Sequence, residues 1–458
     1  LAQLAEQGIR HLYVNGGTDF APLAEAYAAN ARGSNTPLPE PLLCAHEGLA
    51  VGMAHGAWLA SGCPQAVMFH VSVGTANAIC AVANAARDNV PLLVSAGRSP
   101  ILESGKTGAR DAMIHWAQEM FDQAGMLREL VKWDYELKYP HQVEQVVDRA
   151  LGIAQTAPTG PVYLSLPREV LAEQMPSGSV RHARTAIPHP GLPDRDAVAS
   201  LAARLANAAC PIIVTSALGT DHAAVELLGT LAEQHGIGVA DTWSRYLNLP
   251  FSHAMHLGVA NQAMYDRADV VLYLECDVPW ISAQMRPRED AFIAQAGVDP
   301  LFSRYPMRSH RSDLTLTGTP SAVVAALTDA LSGYAVNAER RRRMSELALQ
   351  AHTAVETLRD KELGRDGPIT KAFLSAVIGK TLGADTAVFN EYWGVPPLLN
   401  RTKPGSYFFL PAAGGLGWAL PAALGACHAS GLPAVALVGD GAYMFANPAA
   451  CHHASAKY

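Results

Sequence analysis

Paired cysteines are missing from this 458-residue sequence: its seven cysteines (44, 63, 80, 210, 276, 427 and 451) are odd in number and never spaced as Cys-x-x-Cys. That pattern argues against a disulfide framework or a zinc array and fits reduced, cytoplasmic thiols packed as small apolar residues. No apolar run reaches membrane-spanning length, and the N-terminal residues lack the basic, apolar, small-residue order of a secretory signal. An excess of positive charge is absent as well. With 34 Lys and Arg against 41 Asp and Glu, the net charge is −7 and the pI about 6.2, which argues against nucleic acid or an anionic membrane as partner. No Gly-x-Gly-x-x-Gly follows a first strand with an acid about twenty residues on, so a nicotinamide-dinucleotide domain is disfavoured. Short-period repeats and low-complexity tracts are also lacking.

What remains is 49% hydrophobic and 16% charged, the composition of a well-buried globular protein, and its length implies roughly three domains. Residues 1–172 alternate β-rich runs (9–14, 66–71, 90–95, 161–166) with Ala-rich helical stretches, including a helix from Glu47 to about residue 60. A Pro-rich connection follows at 173–194, then a second α/β unit at 195–335 with strands at 211–215, 237–240 and 270–274. A charged helical linker at 336–367 contains four consecutive arginines, 340–343, expected to form a solvated helix face or to clasp an acidic neighbour. A third α/β unit occupies 368–458. The expected fold class is therefore α/β, with three doubly wound parallel-sheet domains, the third incomplete.

Four segments carry chemistry. Glu47 places one carboxylate among apolar and small residues at a helix start. Residues 69–78 form a strand that breaks into a small-residue turn with His70 at its tip and Asn77 further along. Asn390 opens an aromatic, Gly- and Pro-rich loop containing Tyr392, Trp393 and Gly394. Finally, the glycine turn Gly414, Gly415, Leu416, Gly417 opens a helix that leads to an apolar strand ending in Gly439, Asp440, Gly441. Glycines at a helix start and at strand ends let backbone approach a diphosphate, and one Asp at a sheet's carboxyl edge suits a hard cation such as Mg²⁺.

In this order, the Glu47 helix, the 404–425 run and the Gly-Asp-Gly resemble the thiamin-diphosphate-dependent enzymes, the group containing benzoylformate decarboxylase, pyruvate decarboxylase and acetolactate synthase. The likeness spans essentially the whole chain, as pyrimidine-binding (1–172), central (195–335) and diphosphate-binding (368–458) domains. It implies thiamin diphosphate and Mg²⁺ as cofactors and a 2-oxo acid as small-molecule substrate, decarboxylated or ligated through a carbanion held on the cofactor. It assigns Glu47 as the carboxyl group that bonds the aminopyrimidine ring and so activates the cofactor's C2. Asn77, Tyr392, Trp393, Gly394, Gly414, Leu416, Gly439, Gly441 and Ala442 join Glu47 and Asp440 around the cofactor, with Leu416 as the apolar wedge and Asp440 as metal ligand. It also implies a homodimer or homotetramer.

The chain departs from that pattern in places. His70 falls on an active-site histidine of benzoylformate decarboxylase and Thr18 on its substrate-binding serine, but the second histidine is replaced around Cys276. Gln118 and Glu119 resemble the Phe-Gln-Glu segment that borders the acetolactate synthase site, which keeps a ligase of two 2-oxo acids as an alternative. A non-catalytic cofactor-binding paralogue is another. Acids at Glu275 and Asp277 stand where that family's flavin-holding domain has an arginine, so FAD is not expected. The family's second metal-binding turn would lie beyond Tyr458. The sequence therefore reads as part of a longer protein lacking a few N-terminal residues too, with a cofactor-free state and a disordered loop after Asp440 expected.

Overall fold

The computed structural model describes residues 1–34, 36–174 and 184–458; residues 175–183 of the predicted Pro-rich connection lie outside them. The N-terminal sheet contains β1 (His11–Asn15), β2 (Glu40–Leu43), β3 (Gln65–Phe69), β4 (Leu92–Arg98), β5 (Asp134–Glu136) and β6 (Val162–Pro167). Its order is β2-β1-β3-β4-β6-β5, all parallel. Parallel strands are buried on both faces, which is why they appear in the sequence as continuous apolar runs. Alternation then divides each strand between two cores. Tyr13, Val67, Phe69 and Val94 pack with Leu49 and Met53 of the Glu47–Ser61 helix, while Leu12, Val14, Met68 and Leu93 pack with Ala150 and Leu151 on the opposite side.

The central sheet comprises β7 (Pro211–Thr215), β8 (Gly238–Asp241), β9 (His256–Val259), β10 (Val270–Leu274), β11 (Phe292–Gly297) and β12 (Leu314–Thr317), in the order β12-β11-β10-β7-β8-β9. A third parallel sheet is small, with three strands; β13 (Ala387–Asn390) and β14 (Tyr407–Phe409) pair in parallel within it. The strand β15 (Ala434–Leu437) leads into the Gly-Asp-Gly segment. By packing, the chain divides into two compact units, Leu1–His189 with Leu410–Tyr458, and Pro190–Phe409.

Within the first unit, the Glu47–Ser61 helix lies backbone to backbone against the Ala419–Ser430 helix. A Cβ at Gly56 would fall 1.8 Å from the Ala422 carbonyl oxygen, and one at Gly425 would fall 1.9 Å from that of Met53. This close approach fixes the helix that begins with Glu47 against the one that follows the glycine turn.

Three expectations are corrected. The predicted strand 66–71 stops at Phe69, because His70 turns the chain and precedes the Val71–Arg87 helix. The segment after Asp440 is not a disordered loop but the Asp440–Phe445 helix, followed by Pro448–Lys457. The arginine run is a solvated face at three positions, with Arg342 paired to Glu346, but not at the fourth. Arg341, Arg342 and Arg343 are exposed, but Arg340 is only 2% exposed, and its guanidinium donates to the backbone oxygens of Leu205 (2.8 Å), Ala206 (3.0 Å), Ala208 (2.9 Å) and His235 (2.6 Å). Those carbonyls terminate the Arg195–Asn207 and His222–His235 helices. A helix's last carbonyls have no intrahelical donors and carry partial negative charge, so one buried cation serves two helix ends.

Candidate active site

The parallel order places a topological switch between β1 and β3, the position where an open α/β sheet leaves a crevice at its carboxyl edge. Two residues project from those strand ends. Asp19 follows β1 in the Thr18–Phe20 turn, and His70 follows β3. The His70 Nδ1 lies 2.6 Å from Asp19 Oδ1, with Asp19 buried and the imidazole a quarter exposed. Gly97 makes room for the acid, since a Cβ there would lie 1.7 Å from Asp19 Oδ2. Directly after His70, Val71 holds φ +31°, a strained conformation for a β-branched residue, and its N–H points to Asp19 Oδ2 at 3.4 Å.

The hydrogen bond to Asp19 raises the His70 pKa above its ordinary value; burial opposes this, and the charges of Asp19 and Glu47 add to the rise. A histidine whose folded pKa is raised stabilises the fold fully below its unfolded value, about 6.5, and loses that contribution as pH rises through the folded value. Asp19→Asn should therefore move the His70 titration to lower pH, as followed by the imidazole C–H resonances in NMR. An unmoved titration would show that Asp19 does not set the charge of His70.

Glu47 begins its helix after His46, whose ring accepts the Gly48 N–H at 3.0 Å. Glu47 is 8% exposed. Its Oε2 accepts from Asn77 Nδ2 at 3.1 Å, and its Oε1 faces Gly74, where a Cβ would come within 3.2 Å. One helix turn beyond Asn77 stands Cys80, and Asn84 follows on the same face of the Val71–Arg87 helix. Asn84 grips the glycine turn from both sides, donating to the Gly415 oxygen (2.8 Å) and accepting from the Gly415 N–H (3.0 Å). One helix face thus connects the Glu47 carboxylate to the turn that presents Gly414, at φ +69°, and the exposed Leu416. A second tie runs through the interior. Trp418 Nε1 donates to His55 Nδ1 (3.3 Å), which leaves the His55 Nε2 proton for Asp88 (3.0 Å).

The other sequence-predicted residues take these places. Thr18 is exposed in the turn that carries Asp19. Gln118 is half-buried, its backbone oxygen accepting from Ser72 Oγ at 2.9 Å, and neighbouring Glu119 pairs with Arg98 and Arg110. Asp440 is exposed at the first turn of its helix, between Gly439 and an open Gly441, and Ala442 is buried. Tyr392, Trp393 and Gly394 belong to the other unit. There Asn390 clamps Gly394 by both its N–H (2.6 Å) and its oxygen (3.1 Å), and Lys371 lies over the Trp393 ring at 5.1 Å. Among the described residues no group of three His, Cys, Asp or Glu side chains is arranged for a metal ion.

Sequence inspection did not single out Asp19, His55 or Asn84. Asp19 sits beside Thr18 in the same glycine turn, and that adjacency was the only signal available. Asn84→Ala should free the Gly415 turn while leaving Glu47 and Asn77 in place. If the turn holds a ligand, its dissociation constant rises about tenfold or more, as expected for loss of two buried hydrogen bonds. An unchanged constant by calorimetry would deny Asn84 that positioning role.

Comparison with known proteins gives a consistent picture. Residues 1–126 match the thiamine pyrophosphate enzyme N-terminal TPP-binding domain, and residues 393–457 match the C-terminal TPP-binding domain. The chain is 28% identical to benzoylformate decarboxylase of Pseudomonas aeruginosa, over 96% of this chain and 79% of that protein. It is 24% identical to the acetolactate synthase large subunit of Lactococcus lactis, over 65% and 51% respectively. A solved thiamine diphosphate-dependent 4-hydroxybenzoylformate decarboxylase from Rhodococcus jostii shares the fold, with a TM-score of 0.75 at 22% identity, covering 100% of this chain and 82% of that one.

Proposed function

This chain belongs to the thiamine pyrophosphate-dependent enzymes, and on that premise we propose that it decarboxylates a 2-oxo acid, with or without ligation of the product to a second carbonyl compound. The observation that carries this is the Val71–Arg87 helix, which bonds the Glu47 carboxylate at Asn77 and the Gly415 backbone at Asn84.

The residues present fit thiamin diphosphate. Gly74 leaves open the side of Glu47 Oε1, a half of the carboxyl group that a ring nitrogen can share. Gly414 would offer its carbonyl to the pyrimidine amino group, and Leu416 would wedge between the two rings. Asp440 supplies one hard oxygen ligand, and Mg²⁺ is commonly held by one or two carboxylates together with phosphate oxygens and water. Gly439, Gly441 and Ala442 would meet the diphosphate. When bound, the cofactor supplies the electron sink for loss of CO₂.

The chain's own groups do the rest. Glu47, nearly buried, would hold a pyrimidine ring nitrogen by a hydrogen bond at its Oε1. The His70 and Asp19 pair gives and takes a proton at the substrate, and Thr18, at the same strand end, orients the carboxylate of the 2-oxo acid. If protonated His70 is the donor, kcat/KM falls as pH rises through its pKa, and Asp19→Asn shifts that limb to lower pH. Exposed Val73, Trp116 and Phe445 border these elements, apolar surface suited to burial against a second copy in a homodimer or tetramer. No helix among the described residues is long and apolar enough to cross a membrane. The odd, scattered set of seven cysteines favours a reducing, cytoplasmic setting. Flavin is not part of the proposal, because Glu275 and Asp277 stand where the flavin-holding relatives have an arginine.

A ligase of the acetolactate synthase kind is the second possibility, favoured by the hydrogen bond that holds the Gln118 backbone beside Ser72. Product analysis decides between them. Incubated with thiamin diphosphate, Mg²⁺ and a panel of 2-oxo acids, the decarboxylase releases CO₂ and an aldehyde, whereas the ligase makes acetolactate from pyruvate. Absence of turnover on every 2-oxo acid would contradict both.

A further inference from the structure

A cavity of about 260 Å³ opens within the Pro190–Phe409 unit, walled by Trp243, Tyr246, Phe251, Tyr407 and Phe409. It exceeds the roughly 150 Å³ of apolar cavities that admit benzene. Its composition is uneven in a way that selects a ligand. Two charged side chains line it, Asp241 and Arg401.

Arg401 is turned toward the backbone. Its guanidinium donates to the oxygens of Leu399 (2.9 Å), Gly383 (2.9 Å), Thr386 (3.2 Å) and Leu382 (3.3 Å), the last two residues of that set lying at or near the end of the Lys371–Thr381 helix and the start of β13. Asp241 has neutral partners. Asn248 Nδ2 donates to its Oδ1 at 3.1 Å, and His256 Nε2 lies 3.2 Å from its Oδ2. The His256 Nδ1 accepts the Gly258 N–H at 3.0 Å, so that nitrogen carries no proton, and the ring is the neutral Nε2–H tautomer. The Asp241 charge is therefore hydrogen-bonded but not neutralised by the groups that bond it.

Trp243 supplies an independent observation. Its φ is +48°, a strained left-handed conformation for a bulky residue, yet 62% of the residue is exposed. The Thr242 N–H to the Thr215 oxygen (3.0 Å) and the Arg245 N–H to the Ser216 oxygen (2.8 Å) pin the backbone on either side. The ring stands edge to face with Phe409 at 6.1 Å. Strain spent to hold a largely solvated indole at a cavity wall is not recovered by burial in this unit.

Aromatic walls with a carboxylate held only by neutral partners, and Arg401 turned away into backbone oxygens, are the chemistry that recognises an organic ammonium ion. We propose that this cavity binds a small arylalkylamine, its ring among the aromatic side chains and its ammonium group on Asp241. The site draws only on residues of the Pro190–Phe409 unit and does not depend on the catalytic proposal.

Ligand-observed NMR on the full chain, with 2-phenylethylamine and its charge-reversed counterpart phenylacetate as probes, tests the assignment. The expected result is saturable binding of the amine, with phenylacetate at least tenfold weaker. Asp241→Asn should bring the two within about threefold of each other. Because Asp241 also ties His256 and Asn248, Trp243→Ala provides a variant that spares those bonds; it should weaken the amine about tenfold, and Trp243→Phe should restore most of the loss. Equal binding of amine and acid to the parent protein, no saturable binding of the amine, or indifference of its affinity to Trp243→Ala would each overturn the proposal.

Discussion

Glu47→Gln should reduce turnover of the best 2-oxo acid by about 10³-fold, the scale set by loss of a positioned proton-transfer group, while thiamin diphosphate affinity changes only a few-fold. Gln preserves the volume of a residue that is 8% exposed, and its amide oxygen can still accept from Asn77. It cannot share a proton with a ring nitrogen. The fold should be nearly unaffected: removing a carboxylate from a helix's first turn costs about 0.3–1 kcal/mol. Steady-state kinetics, with cofactor binding measured separately, distinguishes the two effects. A Glu47→Gln protein as active as the parent would remove Glu47 from the chemistry, and one that merely lost its cofactor would make it a binding group only.

Arg340→Met is expected to have the largest effect on stability, on the order of 3–5 kcal/mol. Methionine fills much of the buried volume but leaves the backbone oxygens of Leu205, Ala206, Ala208 and His235 without this donor. At roughly 2–4 °C per kcal/mol for a unit of this size, the unfolding midpoint of the Pro190–Phe409 unit should fall by about 10 °C. Arg342→Met is the control. That side chain is exposed and makes an i,i+4 pair with Glu346 at 3.1 Å, a contact worth about 0.3–0.5 kcal/mol. Similar midpoints for the two variants in calorimetry would show that the carbonyl clasp contributes little.

These two residues mark what the sequence made legible. Strands buried on both faces announce themselves as apolar runs, so Pro211–Thr215 and Val270–Leu274 were read at their observed bounds. The three-residue β5 (Asp134–Glu136) is polar and half-buried, and no periodicity betrays it. Glu47 was conspicuous as a lone acid at the head of an apolar helix. Asp19 was not, because its significance is a contact with His70 across 51 positions, and only the β1–β3 crossing brings those strand ends together. Arg340 shows the same limit. Four identical residues in a row differ in burial according to helix phase and the two helix ends they meet, neither of which composition encodes. The segment after Asp440 is ordered without a ligand for another reason: Ala446, Ala450, Cys451 and Ala454 pack into the core around the Glu47–Ser61 helix, a contact that local sequence does not encode.

The most direct measurement is calorimetric titration of the full chain with thiamin diphosphate, with and without Mg²⁺. Glu47, the Gly414–Leu416 turn and Asp440, taken as one cofactor site, predict saturable binding that strengthens at least tenfold when Mg²⁺ is present and loses that enhancement in Asp440→Ala. No saturable binding in the presence of Mg²⁺ would contradict the assignment of these residues to the cofactor.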